Sequence, residues 1–220
     1  MADDNAANKW RPATNLVRGG TNRSNFAETS EGIFMTSGYI YDTAEQAQRA
    51  FQGEEERFIY SRFSNPTVGM FESRMALLEG AATGRATSTG MAAVNAAIAS
   101  SVRSGDRLVA SKALFGSCDY ICRDLMPRYG VQSTMVDGTN LAEWEAALSE
   151  PTAVVFMETP SNPQMDIIDI KAVSELAHKV GARVIIDNVF ATPILQKPLE
   201  LGADVVVYSA TKHIDGQGRA

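Results

Sequence analysis

From residue 105 onward, short apolar runs alternate with segments of helical period. The runs "RLVAS" (107–111), "TAVVFME" (152–158), "ARVIIDN" (182–188) and "ADVVVYS" (203–209), with a weaker "VQSTMV" (131–136), are rich in β-branched residues. Gly, Pro, Asp or Asn bounds each of them, which predicts strands. Between them, 117–126, 140–149 and 169–180 read as helices. Asn140 stands as an N-cap with Glu143 three residues on, and Gly181 stops the last helix. Strands that are apolar on both faces and separated by helices predict an α/β fold, a mostly parallel sheet covered by helices on both faces. Upstream, 67–81 and 90–102 give two further helices, the second so apolar that it should be buried. Residues 1–60 lack this periodicity. Gly19-Gly20 and scattered Ser, Asn and Thr predict an extended N-terminal arm, whose first fifteen or so residues suit a disordered tail. Residues 61–220 then form the ligand-binding domain.

Composition narrows the function classes. With 220 residues, 45% hydrophobic, the chain can bury a core, and a net charge of −6 without a basic block argues against nucleic acid. No apolar stretch approaches the ~20 residues of a membrane span and no signal-peptide core is present, so a soluble, cytoplasmic protein is expected. Cys118 and Cys122, four apart on a predicted helix, lack the further ligands of a zinc site and read as reduced thiols near a core; no metal is expected.

In a parallel sheet, ligands collect at the carboxyl ends of strands. Asp187 follows "RVII", and Ser209, Thr211 and Lys212 follow "DVVVY" twenty-five residues later, about one crossover, which would set the two strands side by side. A carboxylate, an amine and hydroxyls at neighbouring strand ends suit pyridoxal 5'-phosphate. That cofactor needs a lysine for a Schiff base, an acid to keep its ring nitrogen protonated and small donors for its phosphate. "TSTGMAAVNAA" (87–97) places Ser88, Thr89 and Gly90 at the head of the buried helix, an anion site if not simply a cap. Tyr60 and Arg62, two apart in a segment read as extended, would point to one side, as a phosphate clamp or, as spacing alone favours, with a solvated arginine on a loop, and Asn162 in "ETPSNP" is a ligand contact or a turn residue. His178 and His213 have no nucleophile at a recognisable spacing, and neither G-x-G-x-x-G nor a P-loop occurs.

"YSRFSNPT", "STGMAA", "ETPSNP", "DNVFATP" and "SATKHIDG" stand in the order and approximate spacing of the Cys/Met-metabolism family of pyridoxal-phosphate enzymes, which this chain resembles over residues 15–220. The resemblance implies the large domain of fold-type I enzymes, like that of aspartate aminotransferase. It implies Lys212 as the Schiff-base lysine and Asp187 as the partner of the pyridinium nitrogen. Ser209, Thr211 and the backbone of Gly90 and Met91 would hold the phosphate. Tyr60 and Arg62 would reach the cofactor of a neighbouring subunit, in a homo-oligomer, commonly a tetramer, with shared active sites. Phe115 in "LFGSC" stands where many relatives stack a tyrosine on the ring, and Val189 stands where many carry a threonine. A phenylalanine keeps the stacking and loses a phenolic proton relay.

The combination "LFGSC", "DNVFATP" and "KHIDGQGR" most resembles the members that act on O-succinylhomoserine. It implies γ-replacement on an O-acylhomoserine by sulfide to give homocysteine, in methionine biosynthesis. Cystathionine γ-synthase, γ-lyase and O-acetylhomoserine sulfhydrylase activities stay open, as do a lysine aldolase without the cofactor and an inactive structural fragment. Relatives continue past the lysine into further strands and a C-terminal domain, so a chain ending at 220 is expected to leave sheet unpaired and to fold poorly alone.

Overall fold

The computed structural model describes residues 10–218. They divide into two compact units, one ending at Ala86 and one starting at Thr87.

Among the described residues the first unit carries three helices. Two of them, α1 (Pro12–Arg18) and α2 (Ala44–Gln52), stand where an extended arm is expected. The second is easy to miss because the apolar stripe of AEQAQRAFQ consists mainly of alanines, Ala44, Ala47 and Ala50, with one large residue, Phe51. Its ends are nevertheless written in the sequence: Thr43 caps the Gln46 N–H and Gly53 takes the left-handed conformation at φ 75°. The part of the expected tail at residues 1–9 lies outside the described residues. The third helix, α3 (Pro66–Glu79), starts at Asn65, whose side chain accepts from the Thr67 N–H and donates to the Phe34 carbonyl at 3.0 Å. Arg74 of α3 donates to the Gly19 carbonyl at 2.9 Å and pairs with Glu31. The segment ahead of α3 is therefore fastened to it by polar groups, which leave no apolar period to read.

In the second unit five parallel strands, β1 (Arg107–Ser111), β2 (Gln132–Val136), β3 (Val154–Glu158), β4 (Arg183–Asp187) and β5 (Val205–Val207), lie in the order 2-1-3-4-5. Alternate residues sort to two cores. On one face Leu108, Ala110, Val154, Phe156 and Ile185 pack under α4 (Gly90–Ala99) and α5 (Gly116–Tyr120), which runs on through a π turn (Ile121–Leu125) into α6 (Met126–Arg128). On the other, Val109, Val155, Met157, Val184 and Ile186 pack under α7 (Leu141–Ala147) and α8 (Ile170–Lys179). Burial on both faces is what the continuous apolar runs encode. Cys118 and Cys122 are free thiols inside the first core. Trp144 of α7 is fully buried and donates its indole N–H to the Gly138 carbonyl at 3.0 Å. Among the described residues no helix is long and apolar enough to cross a membrane.

The order reverses between β1 and β3. At such a switch point the crossovers diverge and leave a crevice at the carboxyl ends of the strands. The loops after β1, β3, β4 and β5 open there.

Candidate functional site

Asp187 ends β4 in register with Glu158 at the end of β3 and with Val207 at the end of β5. The parity that turns Ile185 and Phe156 toward α4 and α5 turns Asp187 and Glu158 toward the same face. Asp187 is 8% exposed and accepts the Val189 N–H at 3.1 Å. Burial raises its carboxyl to about 6, against the opposing pull of that N–H and of the Lys212 ammonium. The spacing of the two runs predicts that their strands are neighbours, and β4 and β5 do pair, with Asp187 opposite Val207.

Past β5 the chain folds into tight turns. The Lys212 N–H donates to the Ser209 carbonyl at 3.2 Å, and the Gly216 N–H to the Lys212 carbonyl at 2.8 Å. Lys212 is exposed. The head of α4 comes directly against this segment: a Cβ on Gly90 would lie 2.7 Å from Ser209 Cβ and 3.0 Å from its Cα. Only glycine permits that approach. Thr89 caps the helix by accepting the Ala92 N–H at 3.0 Å, while the first-turn N–H groups of Gly90 and Met91 have no acceptor within the helix. The hydroxyls of Ser88, Ser209 and Thr211 make no hydrogen bond among the described residues. Free N–H groups, free hydroxyls and the positive end of a helix dipole, gathered by a glycine contact, fit a phosphate group.

Phe115, 43% exposed, precedes α5 at the end of the β1 loop, and its N–H donates to Glu158 Oε2 at 2.7 Å. Glu158 is absent from the predicted site. It is 1% exposed, and burial, followed by the neighbouring Asp187 charge, lifts its carboxyl to about 7. The signal was available, since "VVFME" ends on an acid exactly as "RVIID" does. The turn residues that follow it mask its burial. Asn162 is half-buried in the loop after β3, where its backbone N–H approaches Glu158.

A polar brace lies beside these carboxyls. Asn188, 1% exposed, donates to the carbonyls of Thr192 and Gln196 and to Tyr208 Oη, and accepts from Gln196 Nε2, which also donates to the Thr159 carbonyl. One asparagine and one glutamine thereby tie together the loops after β3, β4 and β5. Among the described residues no group of three His, Cys, Asp or Glu side chains is placed to hold a metal.

Tyr60 and Arg62 belong to the first unit. The segment is a turn, closed by the Phe63 and Ser64 N–H groups on the Tyr60 carbonyl, and not the extended stretch expected. The two side chains still meet, because the Arg62 guanidinium sits 5.5 Å from the Tyr60 ring and 4.7 Å from the Phe63 ring. Tyr60 is 41% exposed.

Comparison with known proteins agrees with this chemistry. Residues 13–220 match the family described as Cys/Met metabolism PLP-dependent enzyme. An O-succinylhomoserine sulfhydrylase of Mycobacterium tuberculosis is 56% identical over 94% of this chain and 51% of its own length. An L-methionine gamma-lyase of Porphyromonas gingivalis is 44% identical over 94% of this chain and 52% of its own. The crystal structure of a putative O-acetylhomoserine (thiol)-lyase from Campylobacter jejuni, which carries N'-pyridoxyl-lysine-5'-monophosphate, superposes with a TM-score of 0.91 at 32% identity. It covers 96% of this chain and 52% of its own. The chain thus spans about half the length of the curated relatives it matches. With the parallel sheet in place and the family match running over residues 13–220, the chain belongs to the Cys/Met-metabolism family of pyridoxal-phosphate-dependent enzymes.

Proposed function

We propose that the protein carrying this chain catalyses γ-replacement on O-succinylhomoserine, with sulfide giving homocysteine and succinate. The observation that carries the reading is the convergence of Asp187, Lys212 and the Gly90–Ser209 contact at the carboxyl edge of one sheet. The 56% identity to an O-succinylhomoserine sulfhydrylase supports the choice of ester.

When bound, pyridoxal phosphate supplies an electron sink for the pair released at the substrate's α carbon. Asp187 would face the ring nitrogen and keep a proton there. Lys212 would be the covalent anchor and, as a free amine, would move protons at the substrate's α and β carbons. Phe115 would offer an aromatic face without a hydroxyl. Ser88, Ser209, Thr211 and the Gly90 and Met91 N–H groups would hold the phosphate, and Asn162 would serve the same site from the β3 loop. The net exchange breaks the Cγ–O bond, whose electron pair leaves with succinate, and forms a Cγ–S bond from sulfide.

In this reading Tyr60 and Arg62 serve the cofactor of a neighbouring subunit in a tetramer. Large apolar side chains of the first unit, Phe26 at 93% exposure, Met35 at 94% and Ile40 at 88%, support an interface there. The test is product analysis with succinyl and acetyl esters. Homocysteine formed preferentially from the succinyl ester and sulfide supports the proposal. Release of 2-oxobutyrate as the main product would assign a γ-lyase instead, the activity named for the 44% identical relative.

A further inference from the structure

One buried group at the carboxyl edge of the sheet has no place in the roles above. Glu158 faces Asp187 across the β3–β4 ladder, on the same side of the sheet. Its Oε2 accepts the Phe115 N–H at 2.7 Å, while its Oε1 is buried with no hydrogen-bond partner. The Asn162 N–H approaches the carboxyl without completing a bond to Oε1. An ionised carboxyl with one oxygen unpaired and a second carboxylate beside it carries both a desolvation cost and a repulsion. A proton on Oε1 removes both. The other titratable groups that act on it are Asp187 from β4 and Cys118 from α5, while Lys212, from the turn after β5, acts on Asp187. The Cys118 thiol is pushed up by burial and by both carboxyls, and Lys212 favours the charge on Asp187. Of the two acids, Asp187 is the one with a cation acting on it. Glu158 is the one left to hold a proton, consistent with its rise to about 7.

We infer that Glu158 is a positioning residue that works as a neutral carboxyl: Oε2 fixes the Phe115 backbone at the ring site, and protonated Oε1 leaves Asp187 as the single anion there. The inference rests on the proposed reading in which Phe115 and Asp187 meet the cofactor ring.

Glu158→Gln keeps the size, the acceptor for the Phe115 N–H and the neutrality, whereas Glu158→Ala removes all three. Pyridoxal phosphate is titrated into each protein across about pH 6 to 8, the range around the raised carboxyl. Infrared spectra of the cofactor-free protein with 13C-labelled glutamate report the protonated carboxyl separately. Glu158→Gln should bind within about threefold of the unaltered protein, with a flatter pH dependence, and should lack the shifted band present at about pH 6 in the unaltered protein. Glu158→Ala should weaken binding by roughly tenfold or more at every pH. Should the alanine variant fail to fold, the glutamine variant and the band decide. Binding lost as fully in the glutamine as in the alanine variant, or no protonated band at about pH 6, overturns the inference. An unaltered protein that binds no pyridoxal phosphate sinks the functional reading, whereas an ionised Glu158 in a protein that does bind sinks only this one.

Discussion

Replacing Gly90 with alanine puts a methyl carbon 2.7 Å from Ser209 Cβ, 3.0 Å from its Cα and 3.0 Å from its Oγ. Ordinary carbon–carbon contact starts near 3.4 Å, so the head of α4 and the turn after β5 must part by roughly 0.7 Å. Rotation of Ser209 about χ1 cannot relieve a clash with its Cα and Cβ. Forced overpacking of this kind costs about 1–3 kcal/mol. The same displacement separates the Gly90 and Met91 N–H groups from the Ser209 and Thr211 hydroxyls, which must close on one phosphate together. The cost therefore falls on cofactor affinity, by roughly 5- to 150-fold. The assay titrates cofactor-free protein with pyridoxal phosphate and follows the absorbance of the bound form, with circular dichroism to confirm that the sheet is intact. A Gly90→Ala protein with unchanged affinity and unchanged thermal midpoint would refute the reasoning, because the contact or the phosphate would then be elsewhere.

Other outcomes follow from the same geometry. Asp187 holds its proton more tightly folded than unfolded, so the folded state loses stability as pH rises from about 4 to about 6 and stays lower above that. Asp187→Asn should then stabilise the cofactor-free protein near pH 8 by up to about 3 kcal/mol, little near pH 4, while abolishing tight cofactor binding; equal effects at both pH values in denaturant titrations would contradict this. Asn188→Ala removes the amide that donates to Tyr208 Oη and to the Thr192 and Gln196 carbonyls and accepts from Gln196 Nε2, and should cost about 2–4 kcal/mol with loss of ordered loops after β3 and β4, read by hydrogen exchange. Gly69 lies inside α3 with open space where a Cβ would go, so Gly69→Ala should raise the unfolding midpoint, worth about 0.5–1 kcal/mol; a lowered midpoint would show that something packs there.

The strands were legible because burial on both faces leaves uninterrupted β-branched runs, and the buried acid that ends β4 was legible because a charge closing such a run has no apolar reason to be there. Strand adjacency followed from a spacing of about one crossover and appears as the register of Asp187 with Val207. Three things were not legible. The helices before residue 60 are short, and the apolar stripe of the second is mainly alanine, while the segment around them is fastened by Arg74 and Asn65 through polar contacts that no hydrophobic pattern announces. The Tyr60–Arg62 pair is joined by a cation–π contact across a turn, which strand alternation does not describe. Glu158 and Asn188 close the apolar runs 152–158 and 182–188, where a polar residue before a turn reads as the exposed end of a strand, and only the tertiary fold shows that both are buried.

The central claim is that Lys212 is the covalent anchor of pyridoxal phosphate, with Asp187 beside it. Borohydride reduction of the protein incubated with the cofactor, followed by peptide mass measurement, tests it most directly. The account predicts a phosphopyridoxyl group on Lys212, lost in Lys212→Ala. A protein that binds the cofactor yet carries the label on another lysine, or on none, would contradict it.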